Sequence, residues 1–81
     1  MVKISGGDGC SLENAIIISE CNESEGVEQE YVIVTKKFGK YKLIHQSLLN
    51  NNGKFYDLLE LDINDDKINM YFNITDFFSK Y

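Results

Sequence analysis

His45 is the only histidine of the chain, and Ser47 follows it two residues later. A histidine beside a carboxylate can act as a general acid or base near neutral pH, and a nearby hydroxyl is a natural nucleophile. The carboxylate would be Glu60: if Tyr41–Leu49 and Lys54–Ile63 are adjacent strands, a two-residue turn at Asn52-Gly53 sets His45 opposite it. A flat sheet face offers no oxyanion hole, so His45 is expected to be a surface side chain with an acidic neighbour. The chain is accordingly read as not an enzyme, with a small enzyme using His45 as the weaker alternative. Cys10 and Cys21 are too few to hold zinc, which takes four ligands. The start of the chain has no apolar leader, so both cysteines are expected to be reduced thiols of a cytoplasmic protein.

Two further patterns look chemical and fail on inspection. The loop Gly6-Gly7-Asp8-Gly9 is glycine-rich like a phosphate cradle, but no Gly-Lys-Ser/Thr follows, no helix follows directly, and Asp8 would repel an anion. Asp62-Ile63-Asn64-Asp65-Asp66 begins like a calcium loop. However, Lys67 stands where that loop needs its glycine, and Asn73 stands where it needs its bidentate glutamate. No cofactor and no metal are therefore expected.

The chain has 81 residues, 43% of them hydrophobic, which fits one small domain over residues 1–81. No apolar run approaches the roughly 18 residues of a membrane span. Eight Lys, no Arg and 13 acids give a net charge of −5, the wrong balance for a nucleic-acid binder. The charge is unevenly spread. Residues 1–30 carry one Lys and seven acids, residues 31–56 five Lys and no acid, and residues 57–81 two Lys and six acids.

That division fits the elements. Asn22 with Glu25 three residues on forms a capping box, acids load the first turns, Lys36 and Lys37 load the last, and Gly39 stops the helix. Val27, Tyr31, Val34 and Phe38 form one apolar stripe, so a helix is predicted over 23–38. The β-branched run Ala15-Ile16-Ile17-Ile18 reads as a strand buried on both sides or lying in the middle of the sheet. After Gly39 the period becomes two. Strands are predicted at Tyr41–Leu49, Lys54–Ile63 and around Ile68–Ile74, with turns at Asn52-Gly53 and Asn64-Asp65-Asp66-Lys67. Pairing Ile63 with Ile68 sets Leu61 against Met70 and Leu59 against Phe72, all on one face. In the first hairpin, a two-residue turn puts His45 on the outer face, and a three-residue turn with a bulge at Gly53 turns it inward. The first is preferred because it gives His45 an acidic neighbour. Residues 75–81 are read as a short turn of helix in which Phe77 and Phe78 form a hydrophobic plug. The fold class is α+β: a two-layer β-α-β-β-β order, with one helix packed on a mainly antiparallel sheet and a short C-terminal helical turn.

In this register Tyr56, Tyr71, His45 and Glu60 share the outer face of the sheet, beside Leu43, Leu49 and Leu58. Tyrosines and leucines among charges suit a contact surface. These four are the candidate binding residues of a protein-protein interaction module whose partner is another protein or a second copy of the chain. The competing expectation is that the N-terminal loop or the Phe77-Phe78 turn covers this face. An immunity- or inhibitor-type protein, masking a basic partner with its acids, is a further alternative.

The segment Gly6-Gly7-Asp8-Gly9-Cys10-Ser11 leading to Asn14-Ala15-Ile16-Ile17-Ile18, and the closing Phe72-Asn73-Ile74-Thr75-Asp76-Phe77-Phe78, resemble a family of small bacterial proteins of uncharacterised role. These show a Gly-Gly-Asp-Gly start and an Ile-Thr-x-Phe-Phe end. The resemblance implies a bacterial, cytoplasmic, single-domain protein and no particular activity. Asn73 stands where the family pattern has an acid, which argues against a catalytic carboxylate there.

Overall fold

A computed structural model describes residues 2–78. The elements run β1 (Lys3–Gly6), β2 (Ile16–Ser19), α1 (Glu23–Phe38), β3 (Lys42–Asn51), β4 (Lys54–Ile63), β5 (Asp66–Asn73) and α2 (Thr75–Phe78). They form an α+β fold with one five-stranded sheet in the order β1-β2-β5-β4-β3. Every neighbouring pair is antiparallel except β2 with β5. The helical turn expected over 75–81 is present at Thr75–Phe78, and residues 79–81 lie outside the described part.

The main helix starts and stops where its caps require. The Asn22 side chain accepts from the Glu25 N–H at 2.8 Å, and the Glu25 carboxylate accepts from the Asn22 N–H at 3.1 Å. Gly39 has a positive φ of 75°, and its N–H donates to the Thr35 carbonyl at 2.8 Å.

The strand β1 is not among the expected elements. Residues 3–6 lack a clean alternation, and the pairing with β2 supplies what the local sequence does not. Flanked by β1 and β5, β2 does lie inside the sheet. It is buried on one side only: Ile16 and Ile18 enter the core and Ile17 is 37% exposed on the other face.

Both hairpins of the β3–β4–β5 meander close on two-residue turns. Asn52 and Gly53 have φ of 53° and 78°, and Asn64 and Asp65 have 52° and 68°. Paired positive φ values define the turn whose twist matches that of the flanking strands. The second turn is shorter than expected, so the register differs by two residues. Leu61 pairs with Ile68, Leu59 with Met70, and Asp57 with Phe72. A slip of two keeps every side chain on its own face, so alternation alone cannot detect it.

The core lies between the sheet and the two helices, and Ile18, Val34, Leu59, Leu61, Met70, Phe72 and Phe77 are at its centre. Phe77 docks against Gly26 of α1, where a Cβ would overlap its ring. The closing Ile-Thr-x-Phe-Phe segment has a clear structural use. Ile74 is buried and its N–H donates to the Phe55 carbonyl at 2.9 Å. The Thr75 hydroxyl donates to Asn73 Oδ1 at 2.7 Å and accepts from the Phe55 N–H at 3.0 Å. Phe78 stacks on Phe55 with ring centroids 4.5 Å apart.

Candidate functional site

Cross-strand pairing arranges the outer face of the sheet in rows. One row crosses all five strands: Leu49, Tyr56, Asn73, Ile17 and Ser5. The next holds Ser47, Leu58 and Tyr71, and the third His45, Glu60 and Asn69. A last row sets Asp62 between Lys42 and Lys67. His45 is thus directly opposite Glu60, and the four candidate residues occupy three consecutive rows of one surface.

The two expected hairpin registers both occur, in different parts of β3. From Asn51 back to His45 the strand follows the two-residue-turn register, and His45 faces outward. The extra residue Ile44 then forms a bulge, which returns Leu43 to a pairing with Leu61. Leu61 points into the core, so Leu43 leaves the outer face that strand parity assigns to it.

Among the described residues, neither expected cover lies on this face. The loop 7–14 packs on the helix side, where Gly9 sits against Met70 and Ile16. The α2 turn also lies on that side, with Phe77 against Gly26. The face's side chains differ in access. His45 is exposed, Tyr71 and Glu60 are half-buried, and Tyr56 is only 8% exposed. Tyr56 lies between Leu49 and Asn73 in its row. Such a residue supports the surface and offers little contact area of its own.

The Gly-rich loop spends its donors internally. The Gly7 N–H donates to the Ala15 carbonyl, the Gly9 N–H to the Asn14 carbonyl, and the Cys10 N–H to Asp8 Oδ1 at 3.0 Å. Hydrogen bonds from Cys10 hold the Asp8 carboxyl below its ordinary range, while hydrogen bonding to Asp8 raises the Cys10 thiol. The three N–H groups are therefore committed away from any phosphate. Cys10 is exposed, Cys21 is buried, and neither is in a disulfide. Among the described residues no group of three or more His, Cys, Asp or Glu is placed to hold a metal ion.

The opposite face holds a group that sequence reasoning does not identify. Glu30, expected to serve the helix dipole, is 1% exposed, and both its carboxyl oxygens lack a hydrogen-bond partner as placed. It faces Asp57 of β4, itself 6% exposed. Burial first, then the Asp57 carboxyl beside it, push Glu30 up to about 10. Two ionised carboxyls have no proton to share, whereas a protonated Glu30 can donate to Asp57. Gln46 Nε2 donates to Asp57 Oδ2 at 3.0 Å, and the Tyr31 hydroxyl donates to Gln46 Oε1 at 3.0 Å. Burial and the nearby Glu30 and Asp57 raise the Tyr31 phenol as well.

Residue spacing sets each of the two on an inward line without pairing them. Gly26, Glu30 and Val34 repeat every four residues along one buried line of the helix. Asp57 shares the inward phase of β4 with Leu59 and Leu61.

Beside the pair is a cleft of about 210 Å³ between α1, the β3–β4 strands and α2, lined among others by Gln46, Leu48, Asp57, Ile74, Phe77 and Phe78. A shallower concavity of about 460 Å³ lies along α1, at Glu28, Tyr31, Val32, Thr35 and Lys36. His45 lines neither. No helix among the described residues is long and apolar enough to cross a membrane. In comparisons with protein-family models, curated proteins and solved structures, the chain matches none.

Proposed function

We propose that the protein is a protein-protein interaction module that presents the outer face of its sheet. The observation that carries this reading is the lack of any described element over that face. There Ile17, Leu49, Leu58 and Tyr71 stand among His45, Glu60 and the Lys42–Asp62–Lys67 row. The other face is covered by α1, α2 and the N-terminal loop, so the sheet has one side committed to its core and one available. An apolar and aromatic centre with a charged border is the usual anatomy of a contact surface. Charges of both signs in the border favour a protein partner over the uniformly negative backbone of a nucleic acid. Two cysteines outside any disulfide fit the cytoplasm as the compartment.

The test compares wild type with Tyr71→Ala and Ile17→Lys. Sedimentation across a concentration range reads self-association, and affinity capture from the source cell at low and high salt reads other partners. Both variants are expected to lose a self-association or a captured protein that wild type shows, with unchanged circular dichroism. Wild type and variants with identical sedimentation and identical captured proteins would overturn the reading.

A further inference from the structure

The sheet ends in two edges of different kind. β1 offers the four residues Lys3–Gly6 and β3 the ten of Lys42–Asn51, and among the described residues no strand lies beyond either. Proteins ordinarily blunt a long edge with prolines or charges. This chain has no proline, and from Leu43 to Asn51 it has no Lys, Arg, Asp or Glu. Leu43, Ile44 and Leu48 of β3 are exposed large hydrophobics, and Leu48 is the most exposed of these at 53%. The backbone is also ready for a further strand. The two-residue turn at Asn52-Gly53 makes Asn51 and Lys54 a pair that exchanges both ladder hydrogen bonds. Alternation from there commits Leu49, Ser47 and His45 to β4. Gln46, Leu48 and Asn50 therefore turn their N–H and C=O groups to the open edge. The Ile44 bulge ends this regular stretch.

We propose that β3 pairs antiparallel with the β3 of a second copy of this chain, about a two-fold axis at Leu48, joining two five-stranded sheets into one. The bulge selects the register, because only a pairing centred on Leu48 uses the whole stretch His45–Asn51 of both copies. Leu48 then exchanges both hydrogen bonds with its own copy, and Gln46 does so with Asn50 in each half. On the helix side the two Leu48 side chains meet at the axis. On the outer face Ser47 meets Leu49, and His45 meets Asn51. His45 is the only residue of the stretch that titrates near neutral pH, and it faces an amide, so no like charges are opposed. The acids behind the net charge of −5 lie in residues 1–30 and 57–81, off this strand. A foreign strand bearing charges would find none here to pair with, whereas a second copy supplies a matching uncharged strand. Each copy spends its long edge in the pair, and β1 is too short to repeat it, so assembly stops at a dimer.

Sedimentation of the full chain from about 5 to 500 µM reads the dimer, expected with a Kd of about 10–100 µM because one strand pair is smaller than a standard interface. Leu48→Pro removes an N–H that the pairing needs and the β4 ladder does not. Leu48→Lys sets two ammonium groups against each other at the axis. Each is expected to weaken association at least about tenfold. The lysine variant changes only an exposed side chain, so it keeps the test decisive if the proline variant does not fold. Cross-linking under a mild oxidant, in a Cys10→Ser background, reads the register. Leu48→Cys sets the two introduced thiols on residues about 5.5 Å apart and should give a covalent dimer, whereas Asn50→Cys sets them roughly 14 Å apart and should not. Tyr71→Ala and Ile17→Lys, two and three strands from β3, should leave this dimer intact, so its failure and that of the outer-face reading are told apart. A wild type that stays monomeric throughout that range, association unchanged in Leu48→Lys, or equal cross-linking in Asn50→Cys would each overturn the proposal.

Discussion

Replacing Glu30 by glutamine is expected to stabilise the protein, by an amount that grows with pH. The unfolded chain gives up the Glu30 proton near pH 4.5, and the folded chain holds it to about pH 10. Between those values the native state binds a proton that the unfolded state does not. Stability is therefore fully present below pH 4.5 and falls as pH rises through the window, by about 1.4 kcal/mol per pH unit. From pH 5 to pH 7 the loss is about 3 kcal/mol, large against a total of roughly 5 kcal/mol for so small a domain. A glutamine side chain has the same shape, needs no proton from solvent and can donate an amide N–H to Asp57. The gap between Glu30→Gln and wild type should be small at pH 5 and reach about 2–3 kcal/mol at pH 7, or roughly 10–20 °C in Tm. Urea denaturation of both proteins at pH 5, 6, 7 and 8, followed by far-ultraviolet circular dichroism, measures it. Parallel stability curves across that range, or a variant less stable than wild type at pH 8, would refute the reasoning.

Three other substitutions test the packing. Gly26→Ala gains helix propensity but drives a methyl into the Phe77 ring, so a net loss of about 1–3 kcal/mol is expected in chemical denaturation. A gain in stability would show that Phe77 does not dock there. Asn22→Ala removes the cap that accepts from the Glu25 N–H, at a cost of about 1 kcal/mol in the same assay. Asp65→Gly relieves a residue held at φ 68° and completes an Asn-Gly turn, and should raise stability by about 0.5–1 kcal/mol in thermal melts.

Much of this architecture can be read from residue types, for reasons that differ by element. The helix ends at Glu23 and Phe38 agree with expectation because cap, stripe and charge gradient all specify the same bounds. The outward placement of His45 follows from Asn52-Gly53, whose turn chemistry sets the register nearby. Information weakens with distance from that turn: no local signal announces the Ile44 bulge, so parity counted from the turn puts Leu43 on the wrong face. The second hairpin shows the same limit, since four turn-forming residues allow several registers and alternation does not choose among those two apart. Glu30 escapes sequence reading for another reason. An acid near a helix start has an adequate local role, and only the tertiary position of Asp57 makes it a buried partner. The outer-face residues are legible as a group because strand parity alone assigns them. Parity overvalues Tyr56 because it assigns a face and says nothing about how far a side chain on that face is buried.

The single parallel ladder of the sheet is also its shortest. β2 and β5 meet through two residue pairs, Ile16 with Phe72 and Ile17 with Asn73, helped by the Tyr71 N–H donating to the Gly9 carbonyl. On one side of this seam is the long β3–β4–β5 meander, and on the other the four-pair β1–β2 hairpin. Two cooperative units joined by so short a ladder should open at different free energies, with amides of β1 and β2 exchanging with solvent sooner than those of β4 and β5. Ile17 and Tyr71 lie on opposite sides of the seam and on the same outer face. A partner that touches both would hold the two units together, so its arrival should be recorded as slowed exchange at Ile4 and Ile18, beyond the residues it contacts.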